Sequence, residues 1–482
     1  MSAGSSPAVR TLLLPLALAA CGQADRGGPL VASVVGGPPR LADAARAPVD
    51  LPSTLLIDSV AQGLVRFDAA GQIEPGLAER WAVTDGGRDY IFRLREAHWS
   101  DGSAVTAEQV VDRLTHQLAP TSRNPLKPFL TAIEEIVVMT PQVVEVRLGR
   151  PRPDLLKLFA QPELAIIRRT RPAGTGPLQI VAGGASPLLR QLPDPDAPDD
   201  APSPERLGEV SLTGEGAARS VARFVAGGAD LVAGGSFADW PLVQAAGVSA
   251  VAVRIDPAAG LFGLAIVARE GFLADPANRA AVAQAIDRAA AMGAVANGWA
   301  ADARLLPDRL DSAAPPQIAA WEGMTADQRR GAARAQVRAW QTPVTLRIAL
   351  PDGPGATRLW GAIAADLLAV GITPVRTTAT APADLRLVDV VAPYDSARWY
   401  LATACQPCSE QAQAALEAAR QAPTLAERAQ HIAEADAALA TDVAFIPLAR
   451  PWRWALVGPR VQLWQPNTRA WHPLNRLLPD PT

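Results

Sequence analysis

Apolar and polar residues alternate through Tyr90-Ile91-Phe92-Arg93-Leu94-Arg95. Tyr90, Phe92 and Leu94 share one side, and this period of two predicts a strand. Asp101-Gly102 then supplies a tight turn. From Thr106 the period changes, because Val110, Val111, Leu114 and Leu118 fall on one helical face. The Thr106 hydroxyl can cap that helix, with Gln109 three residues on as in a capping box. Gly63 to Asp68, with the segment before it, predicts a strand running into a turn at Ala69-Ala70-Gly71. Residues 143–148 (Val-Val-Glu-Val-Arg-Leu) predict another strand.

The alternation continues downstream. Gly174-Thr175-Gly176-Pro177 is a glycine turn entering a strand. It lacks the Gly-Lys-Ser/Thr ending and the following helix that a phosphate loop needs. Residues 193–205, dense in Pro and Asp, predict an exposed loop. Residues 217–226 predict a short helix, and 230–235 a strand with a glycine exit. The apolar run 261–267 predicts a strand buried on both faces. Asp275-Pro276 reads as an N-cap followed by a first-turn proline. Val282 and Ile286 mark that helix's buried face, and Gly293 its stop. Val344 to Leu350 predicts a strand. Leu359, Ile363, Leu367 and Val370 stripe a helix that Gly371 ends, and 372–375 form a short strand. Thr424 and Glu427 repeat the capping box, with Leu425, Ile432 and Leu439 on one face of the helix. Residues 444–448 predict a buried strand. Helices alternating with strands imply an α/β fold with mixed sheets.

The chain has 482 residues, 49% of them hydrophobic, which is more than one ordinary domain needs. A net charge of −3 leaves no electrostatic footprint for nucleic acid. The positive charge is arginine except at Lys127 and Lys157. Arg10 precedes an apolar run, Thr11 to Ala20, that ends in Leu18-Ala19-Ala20-Cys21-Gly22, so residues 1–20 read as a signal peptide. That run is about half of the ~20 residues that span a bilayer. A cysteine directly after Leu-Ala-Ala resembles a bacterial lipobox, which implies lipidation at Cys21 and a membrane anchor. The other reading is an ordinary cleaved signal with an incidental cysteine. Residues 21–50, rich in Gly, Pro, Ala and Arg, read as a lipidated cysteine and flexible tether.

No Gly-x-Ser-x-Gly elbow and no His-Glu-x-x-His pair occurs, so a secreted hydrolase has little support. Cys405-Gln406-Pro407-Cys408 in an oxidising envelope favours a short disulfide. Free thiols, a metal site and a redox motif stay open as alternatives. None of His98, His116, His431 and His472 is adjacent to the pair, and a metal would want about four ligands. No metal, cofactor or catalytic residue is expected.

Between Gly63 and Val110 several blocks follow in order. They are Gly63-Leu64-Val65 with its acidic turn, Pro75-Gly76-Leu77-Ala78-Glu79-Arg80-Trp81, the Tyr90 strand, Trp99-Ser100-Asp101-Gly102 and Thr106-Ala107-Glu108-Gln109-Val110. This series resembles the family 5 extracellular solute-binding proteins, the receptors of dipeptide, oligopeptide and nickel ABC importers. Gly174-Thr175-Gly176-Pro177, Asp275 through Arg288, and Ala435-Asp436 through Leu448 fit the same pattern. The resemblance implies a two-lobed, periplasmic-binding-protein-like (type II) fold with mixed sheets and an extra subdomain on the first lobe. Residues 51–68, 170–258 and 446–482 would form lobe I, 69–169 the subdomain and 259–445 lobe II. Crossing segments are expected near 253–261 and 442–448.

The implied function is a lipid-anchored receptor in the periplasm or cell envelope. It would close as a monomer around a small peptide or organic solute and deliver it to an ABC permease and its ATPase subunits. An envelope lipoprotein of the same fold, acting as adaptor or sensor without transport, is the alternative. In many peptide-binding members a Trp-x-Ala-Asp-Tyr segment pairs its aspartate with the peptide ammonium. Here Ala392 and Tyr394 match, but Pro393 stands at the aspartate and the tryptophan is absent. Asp395 or Asp389 could substitute. Tyr394, Asp395, Arg398, Trp399 and Tyr400 are therefore the expected ligand-binding residues, against the plainer readings of Asp395 as a loop cap and Arg398 as an exposed charge.

Overall fold

The computed structural model describes residues 28–99, 101–168, 174–193, 208–308 and 310–478. Cys21, the leader and most of the Pro-Asp-rich loop lie outside the described residues. Among those described, the strands form two large sheets, a four-stranded sheet and a two-stranded ribbon. The first lobe is built on a seven-stranded sheet ordered Val253–Asp256, Arg453–Val457, Leu231–Ser236, Leu30–Val35, Glu209–Glu215, Leu188–Gln191, Leu178–Ala182. The second lobe has five strands, ordered Ile372–Thr378, Val344–Leu350, Leu385–Val391, Gly260–Ile266, Phe445–Ala449. Both sheets mix parallel and antiparallel pairs. The subdomain sheet runs Ala78–Thr84, Asp89–Leu94, Val143–Leu148, Ile133–Thr140, entirely antiparallel.

The local signals explain most elements. Thr106 and Gln109 close the expected capping box on helix Ala107–Leu118. Tyr90, Phe92 and Leu94 are buried, as their period requires. Gly260–Ile266 is buried at every position because both neighbours in the sheet and helices on its faces cover it. Gly235 matters for packing: a Cβ there would lie 2.1 Å from the ring of buried Trp454 on the neighbouring strand.

Five expectations are corrected. Residues 30–50 do not hang free as a tether. Leu30–Val35 is a central strand, paired with Glu209–Glu215 and Leu231–Ser236, and Asp43 bonds Arg113 and His116 of the subdomain helix. Gly and Pro on both sides hid this short apolar run. The segment before Gly63 is the helix Leu51–Val60, capped by Asp50 with Pro52 in its first turn. It is buried on nearly every side, so it shows no amphipathic stripe. Gly293 lies inside helix Arg288–Val295; the preceding helix stops at Ala285 because Asp287 caps a new one. Finally, Phe445–Ala449 pairs in the second sheet and Arg453–Val457 in the first, so the chain returns at 450–452. The outward crossing, 257–259, falls inside its expected span. Leu425 also departs from its expected buried face, being exposed while Ile432 and Leu439 are buried.

The subdomain's apolar core does not end at the subdomain. Phe92, Phe159 and Leu164 belong to one continuous cluster with Tyr394, Trp399, Tyr400 and Leu401 of the second lobe. The lobes are thus closed on one another. Deep in the second lobe, burial pushes the Asp436 carboxyl up to about 6, against the Gln317 N–H that it accepts at 2.9 Å. A carboxyl raised above its ordinary 3.8 stabilises the fold fully below that value and loses the contribution as pH rises through about 6. Asp436→Asn is therefore expected to gain about 1–3 kcal/mol at pH ~8 and almost nothing at pH ~4, measured by urea unfolding. An equal gain at both pH values would contradict this.

Candidate functional site

The expected residues gather where the second lobe meets the subdomain and the C-terminal segment. Strand Leu385–Val391 ends there, and helix Ala397–Ala404 begins six residues later. Asp395 sits in the intervening turn. Lys157 Nζ of the subdomain donates to its Oδ2 at 2.6 Å, and Arg469 Nη2 of the C-terminal segment reaches its Oδ1 at 2.6 Å. Burial opposes the charge on Asp395, but these two cations overcome it and hold the carboxyl below its ordinary 3.8. Gln161 of the subdomain donates to the Pro393 carbonyl at 2.6 Å, and Arg469 donates to that of Ala392 at 3.0 Å. Two other parts of the fold thus converge on the stretch from Ala392 to Asp395.

Asp389 is occupied as well. Arg453, on a first-lobe strand, donates to its carboxylate at 2.8 and 3.0 Å and to its carbonyl at 3.2 Å. Burial pushes the Asp389 carboxyl up while Arg453 opposes the rise. Neither aspartate that could replace the missing one is free for an ammonium group in this closed arrangement.

Tyr394 packs edge-on against Phe129 of the subdomain, ring centres 5.8 Å apart. Burial raises its hydroxyl well above the usual range. Arg398 lies 6.0 Å from the Phe129 ring centre and is half buried. Trp399 and Tyr400 are only 5% and 1% exposed, so they form the shared core and not an open wall. Their rings meet edge to face at 5.0 Å, and Arg450 of the return crossing stands 5.9 Å over Tyr400. Cys405 and Cys408, at the far end of the same helix, are joined as a disulfide.

Sequence reasoning missed the groups that meet these residues: Phe129, Lys157, Gln161, Arg450, Arg453 and Arg469. Lys157 did carry a signal, being one of only two lysines in an arginine-rich chain. It also missed a second contact between lobes. Phe237, just past a first-lobe strand, packs against Phe262 and Trp299 of the second lobe at 4.9 and 6.1 Å. Gly355 donates to the Ala238 carbonyl beside it at 2.8 Å. A Cβ at Gly355 would lie 1.9 Å from the Phe237 carbonyl oxygen, so this approach needs glycine.

A cavity of about 1060 Å³ lies elsewhere, lined among others by Gln62, Trp99, Thr175, Gln179, Leu463 and Arg476. Among the described residues none from the second lobe lines it. The glycine turn at Gly174–Pro177 thus faces a first-lobe cavity, where Gln62 Nε2 donates to the Thr175 carbonyl at 2.6 Å. Among the described residues no cluster of His, Cys, Asp and Glu is arranged to hold a metal, and no helix is long and apolar enough to cross a membrane.

Comparison with known proteins agrees with this architecture. The profile of the bacterial extracellular solute-binding proteins, family 5 (middle region), matches residues 72–375. A probable deoxycholate-binding periplasmic protein of Escherichia coli, YgiS, is 43% identical over 70 residues, 14% of this chain and 13% of that protein. The periplasmic oligopeptide-binding protein OppA of Escherichia coli is 29% identical over 161 residues, 29% of this chain and 30% of that protein. The aligned stretches thus span less than a third of these relatives. The solved structure of the Escherichia coli murein tripeptide binding protein MppA matches with a TM-score of 0.77 at 18% identity, covering 92% of this chain and 96% of that one. Haemophilus influenzae OppA in complex with the peptide RPPGFSPFR matches with a TM-score of 0.75 at 16% identity, covering 93% and 98%.

Proposed function

The chain belongs to the family 5 bacterial extracellular solute-binding proteins, and from that membership we propose that it is the substrate-binding component of an ABC importer. It captures a peptide or similar organic solute between its lobes and delivers it to a membrane permease driven by ATPase subunits. One observation carries this reading. Two short crossings, 257–259 and 450–452, join the lobes, while Asp395 bonds groups from two other parts of the fold. Such a hinge turns with few broken contacts, and such a seam forms only on closure. The names of relatives support the cargo, since OppA is named for oligopeptides and MppA for a murein tripeptide. The expected binding residues would line that seam, Asp395 and Arg398 at its partly exposed edge and Tyr394, Trp399 and Tyr400 packed behind them. In the envelope, Cys21 would carry the lipid anchor that follows the cleaved leader.

The engagement of Asp389 and Asp395 supports a solute that does not depend on a terminal ammonium. It also favours a second reading, an adaptor or sensor lipoprotein with the same fold and no cargo. Native mass spectrometry of gently purified protein separates the two. Import predicts one small organic molecule per chain, released unchanged on unfolding. A bare chain that also binds no added peptide would favour the adaptor, and recovery of cleaved products would favour a hydrolase. Cys21→Ala should release the protein from membranes; unchanged retention would defeat the anchor.

A further inference from the structure

A second, smaller cavity of about 50 Å³ lies within the second lobe. It sits where the edge strand Phe445–Ala449 meets the helix Leu425–Asp442, under the stretch from Ala303 to Trp321. Its walls are mostly apolar, with Leu305, Leu439, Val443, Phe445 and Ile446 among them. Among the described residues none from the first lobe, the subdomain or the seam lines it.

Asp436 and Arg288 are the only ionisable groups among the described lining residues, and they do not pair. Arg288 is satisfied elsewhere, by Glu322 at 2.7 Å and by the Pro447 carbonyl at 2.7 Å. Asp436 is 2% exposed. Its Oδ2 accepts from the Gln317 N–H, and among the described residues no cationic nitrogen lies within ion-pair distance of the carboxyl. Trp321, on the same wall, buries its Nε1 without an acceptor.

A buried carboxyl without a cation stays protonated or takes its counter-charge from outside. An indole N–H shut away from water needs an acceptor oxygen. At ~10–15 Å³ for each water-sized group, a cavity of about 50 Å³ holds about three to five of them. The complement is a short molecule that carries an ammonium, an oxygen and a small carbon stem.

We propose that this cavity is a second ligand site, separate from the cleft between the lobes, and takes a short primary amino alcohol of ethanolamine's size. The ammonium pairs with Asp436 Oδ1, and the hydroxyl oxygen accepts from Trp321 Nε1. The stem lies against the aliphatic wall. The site is independent of the importer reading, because no residue of the seam takes part in it.

The test is a saturation-transfer NMR titration of the full chain with three molecules of equal size. They are ethanolamine, 1-propylamine, which lacks the hydroxyl, and 1-propanol, which lacks the ammonium. So few atoms limit affinity to about 0.05 mM at best, and ethanolamine is expected to bind with a Kd of about 1 mM at pH ~8. Propylamine should bind about five-fold more weakly and propanol at least ten-fold more weakly. Asp436→Asn should abolish the advantage of both amines over propanol. Trp321→Phe should abolish only that of ethanolamine over propylamine. Burial keeps the Asp436 carboxyl protonated up to about pH 6, so ethanolamine affinity should rise about ten-fold between pH ~5 and pH ~8 in the parent and stay flat in Asp436→Asn. Asp436→Asn is expected to be at least as stable as the parent, so its loss of binding would not reflect unfolding. Ethanolamine binding no better than either analogue, or an amine preference that survives in Asp436→Asn, overturns the site. So does the absence of transfer to all three at about 50 mM, which would leave water alone in the cavity.

Discussion

Asp442→Ala is expected to destabilise the protein by about 3–5 kcal/mol, the largest single effect among these variants. Asp442 ends the helix Leu425–Asp442 and is 6% exposed. Its carboxylate accepts from Arg269 at 2.8 and 2.6 Å, from Arg279 at 2.7 Å and from the Ser409 N–H at 2.9 Å. Arg279 is 1% exposed and spends its other donors on the carbonyls of Leu273, Ala274 and Asp442. The network thus ties the helix from Pro276, the long C-terminal helix and the turn after the Cys405–Cys408 disulfide. Burial alone would raise the Asp442 carboxyl, yet Arg269 and the Ser409 N–H hold it below the ordinary range. Alanine leaves the buried Arg279 and the half-buried Arg269 without their counter-charge. Urea unfolding at pH ~7 measures the loss, and a change below about 1 kcal/mol would show that solvent compensates the arginines.

The second large effect falls on closure. Asp395→Ala removes the one carboxylate shared by Lys157 and Arg469, and these two cations then face each other only when the lobes are shut. The closed form is expected to lose about 1–3 kcal/mol relative to the open one, a shift of 5- to 150-fold. Apparent solute affinity falls with the closed fraction. The urea midpoint of each lobe should move little, because the missing bonds lie between the lobes. The same contact gives a pH signature. Asp395 is held below 3.8, so its contribution is present above that value and disappears as pH falls below it. Asp395→Ala should therefore behave at neutral pH as the parent does in acid. Identical solute affinity in parent and variant would remove Asp395 from the closing contact.

How far the sequence could be read depended on the range of the interactions. Capping boxes and alternation are local, and they located the helix from Ala107 and the strand at Tyr90 correctly. Leu51–Val60 was misread because a helix buried on nearly every side has no polar face to set a period. Leu30–Val35 was misread because its neighbours in the sheet lie almost two hundred residues away. The site followed the same rule. The segment from Tyr394 to Tyr400 could be found from its departure from the family pattern. That Trp399 and Tyr400 would be core, and that Lys157 and Arg469 would take up Asp395, depends on contacts no local pattern encodes.

Closure upon a bound solute is tested most directly by small-angle X-ray scattering on one preparation in two states. One is the gently purified protein with its solute, and the other is the same protein stripped by unfolding and refolding. The expected result is a larger radius of gyration for the stripped protein, restored to the smaller value when the solute released on unfolding is added back. Equal radii in both states, with no response to the added solute, would contradict capture by closing lobes.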